Sequence, residues 1–402
     1  MFKKIALPTV LNLGAQIVSM FAFLLLTKVI NVSFVGEYLV FLSFATIISF
    51  FSTCFYEQSL YVEYGDKEGK IHHVLQFILL SSVTVYFILA LFNVQNAVFI
   101  FIFSLGNAIK VLSRTVAVTN GEINKLAVCE FLFSPFIPFS IITYYFYFIP
   151  ESSELMVLIN SLVTLTIGFV YLYIFVDIKL SYFNMGRFFD GKKFLEFLHR
   201  YRKNLLMKLP AELINISNLR VPVIIIDAYI STQMAAFFGV SLRIVLTPVS
   251  VFSATISQIF ISNVVTHPTN VLTILVKNLT FTVLIALGIC FCAFFISDIV
   301  IITLLGEEYG YVAILVKAFI PYIFTLIAFV PFFTLLAVYE KQEHLLKSNI
   351  AILIATVFSY GIGVYIDDLR ISVLIFSLSV FIIHSFVFIY IYKVSKKINE
   401  GR

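Results

Sequence analysis

The sequence predicts an all-helical integral membrane protein with about twelve spanning helices in two six-helix bundles, both termini cytoplasmic. Three observations carry that prediction. Of 402 residues 61% are hydrophobic and only 12% charged, and the mean hydropathy of +1.03 lies far outside the range of soluble chains. The apolar runs repeat at membrane-spanning length. Finally, the basic residues fall almost entirely on one side of the resulting topology.

Apolar runs broken by polar punctuation place helices at 5–30, 34–60, 73–92, 95–118, 126–149 and 155–177, then at 207–231, 235–262, 271–297, 311–338, 349–366 and 371–392. The first begins directly after Met1-Phe2-Lys3-Lys4 without a small-residue cleavage site, so it is expected to be a retained helix. Odd-to-even connections are tiny (Phe92 to Gln95, Ser231 to Met234, Ile366 to Arg370), and the even-to-odd ones are basic. Of 27 Lys and Arg residues, 20 fall on the even-to-odd side and the termini, against Lys28 and Arg370 opposite. The positive-inside rule therefore puts both termini and the middle loop in the cytoplasm.

The chain divides into an N-terminal lobe (1–180), a basic linker (181–206) and a C-terminal lobe (207–402). In and just after that linker, KKFLEFLHRYRKNLLM sets Phe194, Phe197, Leu198, Tyr201 and Leu205 on one helical face among basic groups. Two expectations stand: an interfacial helix in the inner headgroup layer, or a purely topogenic loop. The lobes look duplicated. The first opens Leu7-Pro8 with Asn12 and reaches Gly36 28 residues after the proline; the second opens Leu209-Pro210 with Asn215 and reaches Gly239 after 29. Helices two and eight each carry a polar stripe, Ser43, Thr46, Thr53 and Glu57 in one, Arg243, Thr247, Ser250 and Ser257 in the other.

Five basic residues remain inside predicted helices: Lys110, Arg114, Arg220, Arg243 and Lys317. Charges there are costly, and they normally face a bundle interior or a wet cavity. Arg220 lies about 16 Å into its helix, near the midplane, with Asp227 two turns on and Pro222 between them. Arg243 aligns with the second polar stripe. Lys110 and Arg114 sit one turn apart, Arg114 as a cavity group or a snorkelling one, and Lys317 near an outer end, at the interface. Glu57, Glu130 and Asp227 are their acidic counterparts, as proton or cation sites or as salt-bridge partners. The excess of positive charge favours an anionic ligand, for which arginine offers a bidentate fork to phosphate. Asn12, Gln16 and Ser19 share a face of the first helix, suited to sugar hydroxyls or to interhelical bonding.

Enzyme signatures are sparse. Gly65-Asp66-Lys67-Glu68-Gly69-Lys70 has one residue too few between its glycines for a Walker A loop and lacks the following Ser or Thr. The six histidines are scattered, and Cys54, Cys129, Cys290 and Cys292 all lie in apolar helices, so neither a metal nor a cofactor is expected. The composition predicts a chain that binds and moves something, with no nucleic-acid partner.

The opening LPTVLNLGAQIVSMFAFLLLTKVINVSFVGEYLVF, the stretch LPAELINISNLRVPVIIIDAYISTQMAAFFGVSLRIVLTPVS and the turn Leu305-Gly306-Glu307-Glu308-Tyr309 together resemble the Wzx-type oligosaccharide flippases. These belong to the multidrug/oligosaccharidyl-lipid/polysaccharide exporter superfamily. The resemblance covers nearly the whole chain through loose, mostly apolar motifs. It implies a MATE-like fold of two lobes in a V around a central cavity, and a cargo of oligosaccharide repeat units on polyprenyl diphosphate, turned to the periplasmic leaflet of a bacterial inner membrane. Membrane lipids, a glycan polymerase and a coupling H+ or Na+ are the implied partners. The diphosphate would meet Arg220, Arg243 and Lys110, and the glycan a polar cavity. The related lipid II branch carries arginines in the first helix and this sequence has none, so the anion role falls to the second half. A cation-coupled multidrug exporter of the same superfamily would instead want an acidic first helix, and a non-transporting scaffold of a glycan-assembly complex would need no cavity.

Overall fold

The structure, a computed structural model, describes residues 2–61, 67–148, 153–176, 191–202, 204–266, 270–338 and 341–399. It is built of helices: α1 (Phe2–Val29), α2 (Val32–Thr53), α3 (Lys67–Leu91), α4 (Ala97–Thr119), α5 (Ile123–Phe133), α6 (Phe136–Phe148), α7 (Glu154–Phe175) and α8 (Gly191–Arg200). There follow α9 (Leu209–Tyr229), α10 (Thr232–Thr266), α11 (Val271–Leu305), α12 (Gly310–Ala318), α13 (Ile320–Ala328), α14 (Thr334–Val338), α15 (Gln342–Ile366) and α16 (Leu369–Asn399). Helices suit a membrane, because each satisfies its own backbone polar groups. Among the described residues 11 are long and apolar enough to cross, or up to 12 if the pair Glu307–Ala318 and Ile320–Leu336, bent by 51°, is one span.

Two compact units divide the chain, Met1–Ile30 with Glu37–Arg220, and Asn31–Gly36 with Val221–Arg402. The division falls inside α9, after Arg220.

In the first unit α4 and α7 cross most closely, glycine on glycine. A Cβ on Gly168 would lie 2.5 Å from the carbonyl oxygen of Gly106, and one on Gly106 would lie 2.5 Å from the Cα of Leu165. Backbones that close are how membrane helices gain packing where lipid is as apolar as the partner helix. The expected helix 126–149 is two pieces here. Pro135 has no amide hydrogen to continue α5, so the chain breaks at Ser134, whose hydroxyl donates to the Ala15 carbonyl on α1 (3.1 Å).

The expected helix 311–338 is likewise broken, into α12, α13, a single 3₁₀ turn and α14. Pro321 and Pro331 each remove an intrahelical bond at these breaks. A neighbour bonds at this kink: Ser257 of α10 donates to the Pro331 carbonyl (3.1 Å). Around that kink the second unit packs aromatics, Phe260 against Phe332 (4.8 Å between centroids) and Phe329 against Phe388 (5.0 Å). Such ring pairs supply the shape-specific contact that burial alone does not give in lipid.

Candidate functional site

The basic groups inside the spans occupy different settings. On α4, Lys110 Nζ lies 3.5 Å from Glu130 Oε2 and Arg114 Nε lies 3.0 Å from Glu130 Oε1. One carboxylate from α5 thus serves two cations from α4. Lys110 also stands over the ring of buried Tyr171 on α7, 5.2 Å from its centroid. The proximity is not matched by geometry: Glu130 Oε1 is buried and accepts no hydrogen bond, and Arg114, 50% exposed, donates none among the described residues. Arg114 is therefore neither the freely snorkelling group nor the lone cavity charge that its position alone allows.

Arg220 and Asp227 lie two turns apart on α9, with Pro222 between them, and Arg243 lies on α10; all three side chains are half-buried. Asp227 takes part in no salt bridge among the described residues. The stripe aligned with Arg243 is only partly open, with Ser250 exposed and Ser257 spent on the Pro331 carbonyl. On α1, Asn12 and Gln16 are exposed and make no hydrogen bonds among the described residues.

Glu57 requires a correction. The sequence places it in a helix running to residue 60, at the foot of a polar stripe; in the structure α2 stops at Thr53. Cys54 and Phe55 then take left-handed backbone (φ 44° and 62°), and Tyr56–Tyr61 folds back as a 3₁₀ turn. Two consecutive non-glycine residues there cost roughly 1–3 kcal/mol each, held by packing. The Glu57 side chain is only 3% exposed, its Oε2 without a hydrogen-bond partner. Burial pushes its carboxyl up from 4.5 to about 7, against smaller opposing effects of its own backbone, the Thr53 hydroxyl and the Lys208 charge. The adjacent Cys54 thiol is pushed up to about 12, by burial first and the Glu57 charge second.

The amphipathic segment forms α8, and protein covers its apolar face. Phe197 packs on Tyr56 (5.7 Å) and His73 (5.4 Å), and Phe194 on His73 (6.2 Å). The Tyr56 hydroxyl donates to the Leu198 carbonyl (3.4 Å), and Lys208, just before α9, donates to Gln58. Leu195 remains 65% exposed.

Helix α11 runs to Leu305 and not 297, which brings Asp298 into the helix and into an ion pair with Lys317 of α12. Lys317 is thereby accounted for. Neither this pair nor the shared Glu130 was visible in the sequence, since spacing reveals the faces of one helix and not which face meets which. An open polar pocket of 470 Å³ in the second unit is lined by Asn31, Ser33, Ser231, Gln233 and Glu308, with no basic residue in its lining. No group of three or more metal-ligating side chains occurs among the described residues.

No family model and no curated protein matches the chain. Solved structures do. The lipid II flippase MurJ in an inward closed conformation superposes with a TM-score of 0.76 at 13% identity, covering 98% of this chain and 90% of that one. The chain has the MATE-like fold. An inward-facing MATE multidrug resistance transporter matches at 0.66 with 11% identity (99% and 98% covered). A transporter of the same MOP superfamily from Pyrococcus furiosus matches at 0.58 with 13% identity (97% and 96%). At such identities the MATE-like likeness is one of fold, and the cargo has to be argued from the side chains.

Proposed function

We propose that this protein is a flippase of the MOP superfamily in a bacterial inner membrane, turning polyprenyl-diphosphate-linked oligosaccharide repeat units from the cytoplasmic to the periplasmic leaflet by alternating access. The observation that carries this is the sign of the charge inside the spans. Lys317 is paired with Asp298, and among the described residues inside the spans the basic Lys110, Arg114, Arg220 and Arg243 outnumber the acidic Glu37, Glu130 and Asp227. A positive excess in a low-dielectric setting is costly unless an anion visits, and the diphosphate of a lipid carrier is an anion that reaches membrane depth.

In this account Arg220 and Arg243, with Lys110, hold the diphosphate. Arginine does so as a fork, and the amides of Asn12 and Gln16 on the open face of α1 meet glycan hydroxyls. Asp227 and Glu57 serve to reset the cationic site or to carry a coupling H+ or Na+. A lipid II flippase is among the proteins that share this fold, so the fold accommodates a lipid-linked cargo. A cation-coupled multidrug exporter, the reading suggested by the MATE neighbours, would want an acidic first helix, whereas α1 has no acidic residue.

Binding of a short-chain polyprenyl diphosphate sugar to the purified protein tests this, with a lipophilic cation as control. The diphosphate is expected to bind wild type and to lose about 1.5–3 kcal/mol in Arg220→Ala, the scale of one charge-assisted contact. Binding of the cation alone would transfer the assignment to drug export.

A further inference from the structure

We propose that Lys110, Arg114 and Glu130 form a phosphate-docking site at the inner-leaflet end of α4, in which a phosphate oxygen of the cargo replaces Glu130 at Arg114. The inference rests on the flippase reading and deepens it at Lys110, which it joins with Arg114 and Glu130 in one site.

Both cations lie at headgroup-accessible depth. Arg114 lies five residues before the end of the span Ala97–Thr119 and Lys110 nine, about 7–8 Å and 13–14 Å inside it at the usual helical rise. On the positive-inside topology that end is cytoplasmic. The charges of a lipid-linked diphosphate in the inner leaflet lie at the headgroup boundary, within reach of an arginine side chain at Arg114's depth.

A structural salt bridge in lipid would be expected to align N–H with carboxylate oxygen, because nothing else there satisfies either partner. Here the charges are close, 3.0 Å and 3.5 Å, yet Glu130 Oε1 accepts no hydrogen bond. Arg114 keeps its donors undirected while half its side chain is exposed. Lys110 stands over the Tyr171 ring and so presents its charge beside the half-exposed fork of Arg114. Two cations and one anion leave the cluster with one net positive charge. An incoming phosphate would gain Arg114 bidentately and Lys110 as a point charge, while Glu130 keeps the cations soluble in lipid when the site is empty. Glu130 is then an internal stand-in for the ligand, and it competes with it.

That competition gives opposite signs for two substitutions. With farnesyl diphosphate as probe in detergent at fixed ionic strength, Arg114→Gln is expected to weaken binding about tenfold. Glu130→Gln, which removes the competitor without changing side-chain size, is expected to strengthen it several-fold. Arg114→Lys, retaining charge but not the fork, should fall between wild type and Arg114→Gln. Melting temperature and monodispersity establish that each variant is folded. Phosphatidylglycerol in the same micelles is the competitor arm. If it leaves the affinity unchanged, the carrier diphosphate is the ligand; displacement at comparable concentration assigns the site to bilayer phosphate. Should farnesyl diphosphate bind wild type but Glu130→Gln weaken it as much as Arg114→Gln, or neither change it, the cluster is structural. This inference then fails while the flippase reading stands. Absence of diphosphate binding to wild type would remove both.

Discussion

Gly168 on α7 faces Gly106 on α4 so closely that a Cβ on the former would lie 2.5 Å from the carbonyl oxygen of the latter. The crossing positions α4, and with it Lys110 and Arg114, against the Tyr171 side of α7. Gly168→Leu is expected to destabilise the purified protein by about 1–3 kcal/mol or more, the cost of overpacking a site whose neighbour is backbone. Gly288→Leu on α11, where an added Cβ meets nothing within 4 Å, is the control and should leave the thermal melt unchanged.

Stability should fall as pH rises through the titration of Glu57. Between 4.5 and about 7 the folded chain holds a proton on this carboxyl that the unfolded chain has lost. The folded state therefore binds more protons than the unfolded one and becomes less stable with rising pH. Glu57→Gln, which keeps the neutral form, should stabilise by at most about 3 kcal/mol at pH 8 and by nothing near pH 4. Melts at the two pH values decide it, and an equal shift at both would show that the effect is not titration.

Docking of α8 predicts a protease signature. Phe197→Ala removes the ring contacts to Tyr56, His73 and Tyr201. It is expected to accelerate tryptic cleavage at Lys192 and Lys193 several-fold in detergent, since a helix cleaves once it undocks. Leu195→Ala, on the exposed side, should not.

The Asp298–Lys317 pair predicts rescue by exchange. Asp298→Asn and Lys317→Met are each expected to cost about 1 kcal/mol, since each leaves a charge unpartnered at a partly exposed site (49% and 30%). The swap Asp298→Lys with Lys317→Asp should recover most of it. Neither single change should alter diphosphate affinity, which distinguishes this pair from the α4 cluster.

Much of the architecture was legible because spanning length and charge asymmetry are properties of composition. The twelve apolar runs correspond to the spans, and α15 and α16 differ from the expected 349–366 and 371–392 mainly by extension at their ends. What was hidden depended on tertiary packing. Nothing in the run up to residue 60 announces that Cys54 and Phe55 will adopt left-handed backbone, because non-glycine residues do so only when their surroundings force them. Asp298 lies outside the expected helix because Ser297-Asp298 reads as polar punctuation, although the apolar run resumes at Ile299 and continues to Leu305. Lys110 and Glu130 were each recognised, but their meeting, and Arg114's share in it, required the packing of α4 on α5. The apolar face of α8 was visible as a face, and its cover was not.

The central claim is that the chain turns a diphosphate-linked glycan across a bilayer. It is tested most directly in proteoliposomes loaded on one leaflet with a short-chain polyprenyl diphosphate disaccharide, reading its appearance on the other leaflet by an impermeant glycan-modifying reagent. Wild type is expected to move the lipid well above the rate of protein-free vesicles, and Arg220→Ala to fall towards that background. Transfer no faster than in empty vesicles, with a lipophilic cation exported by the same preparation, would contradict the account.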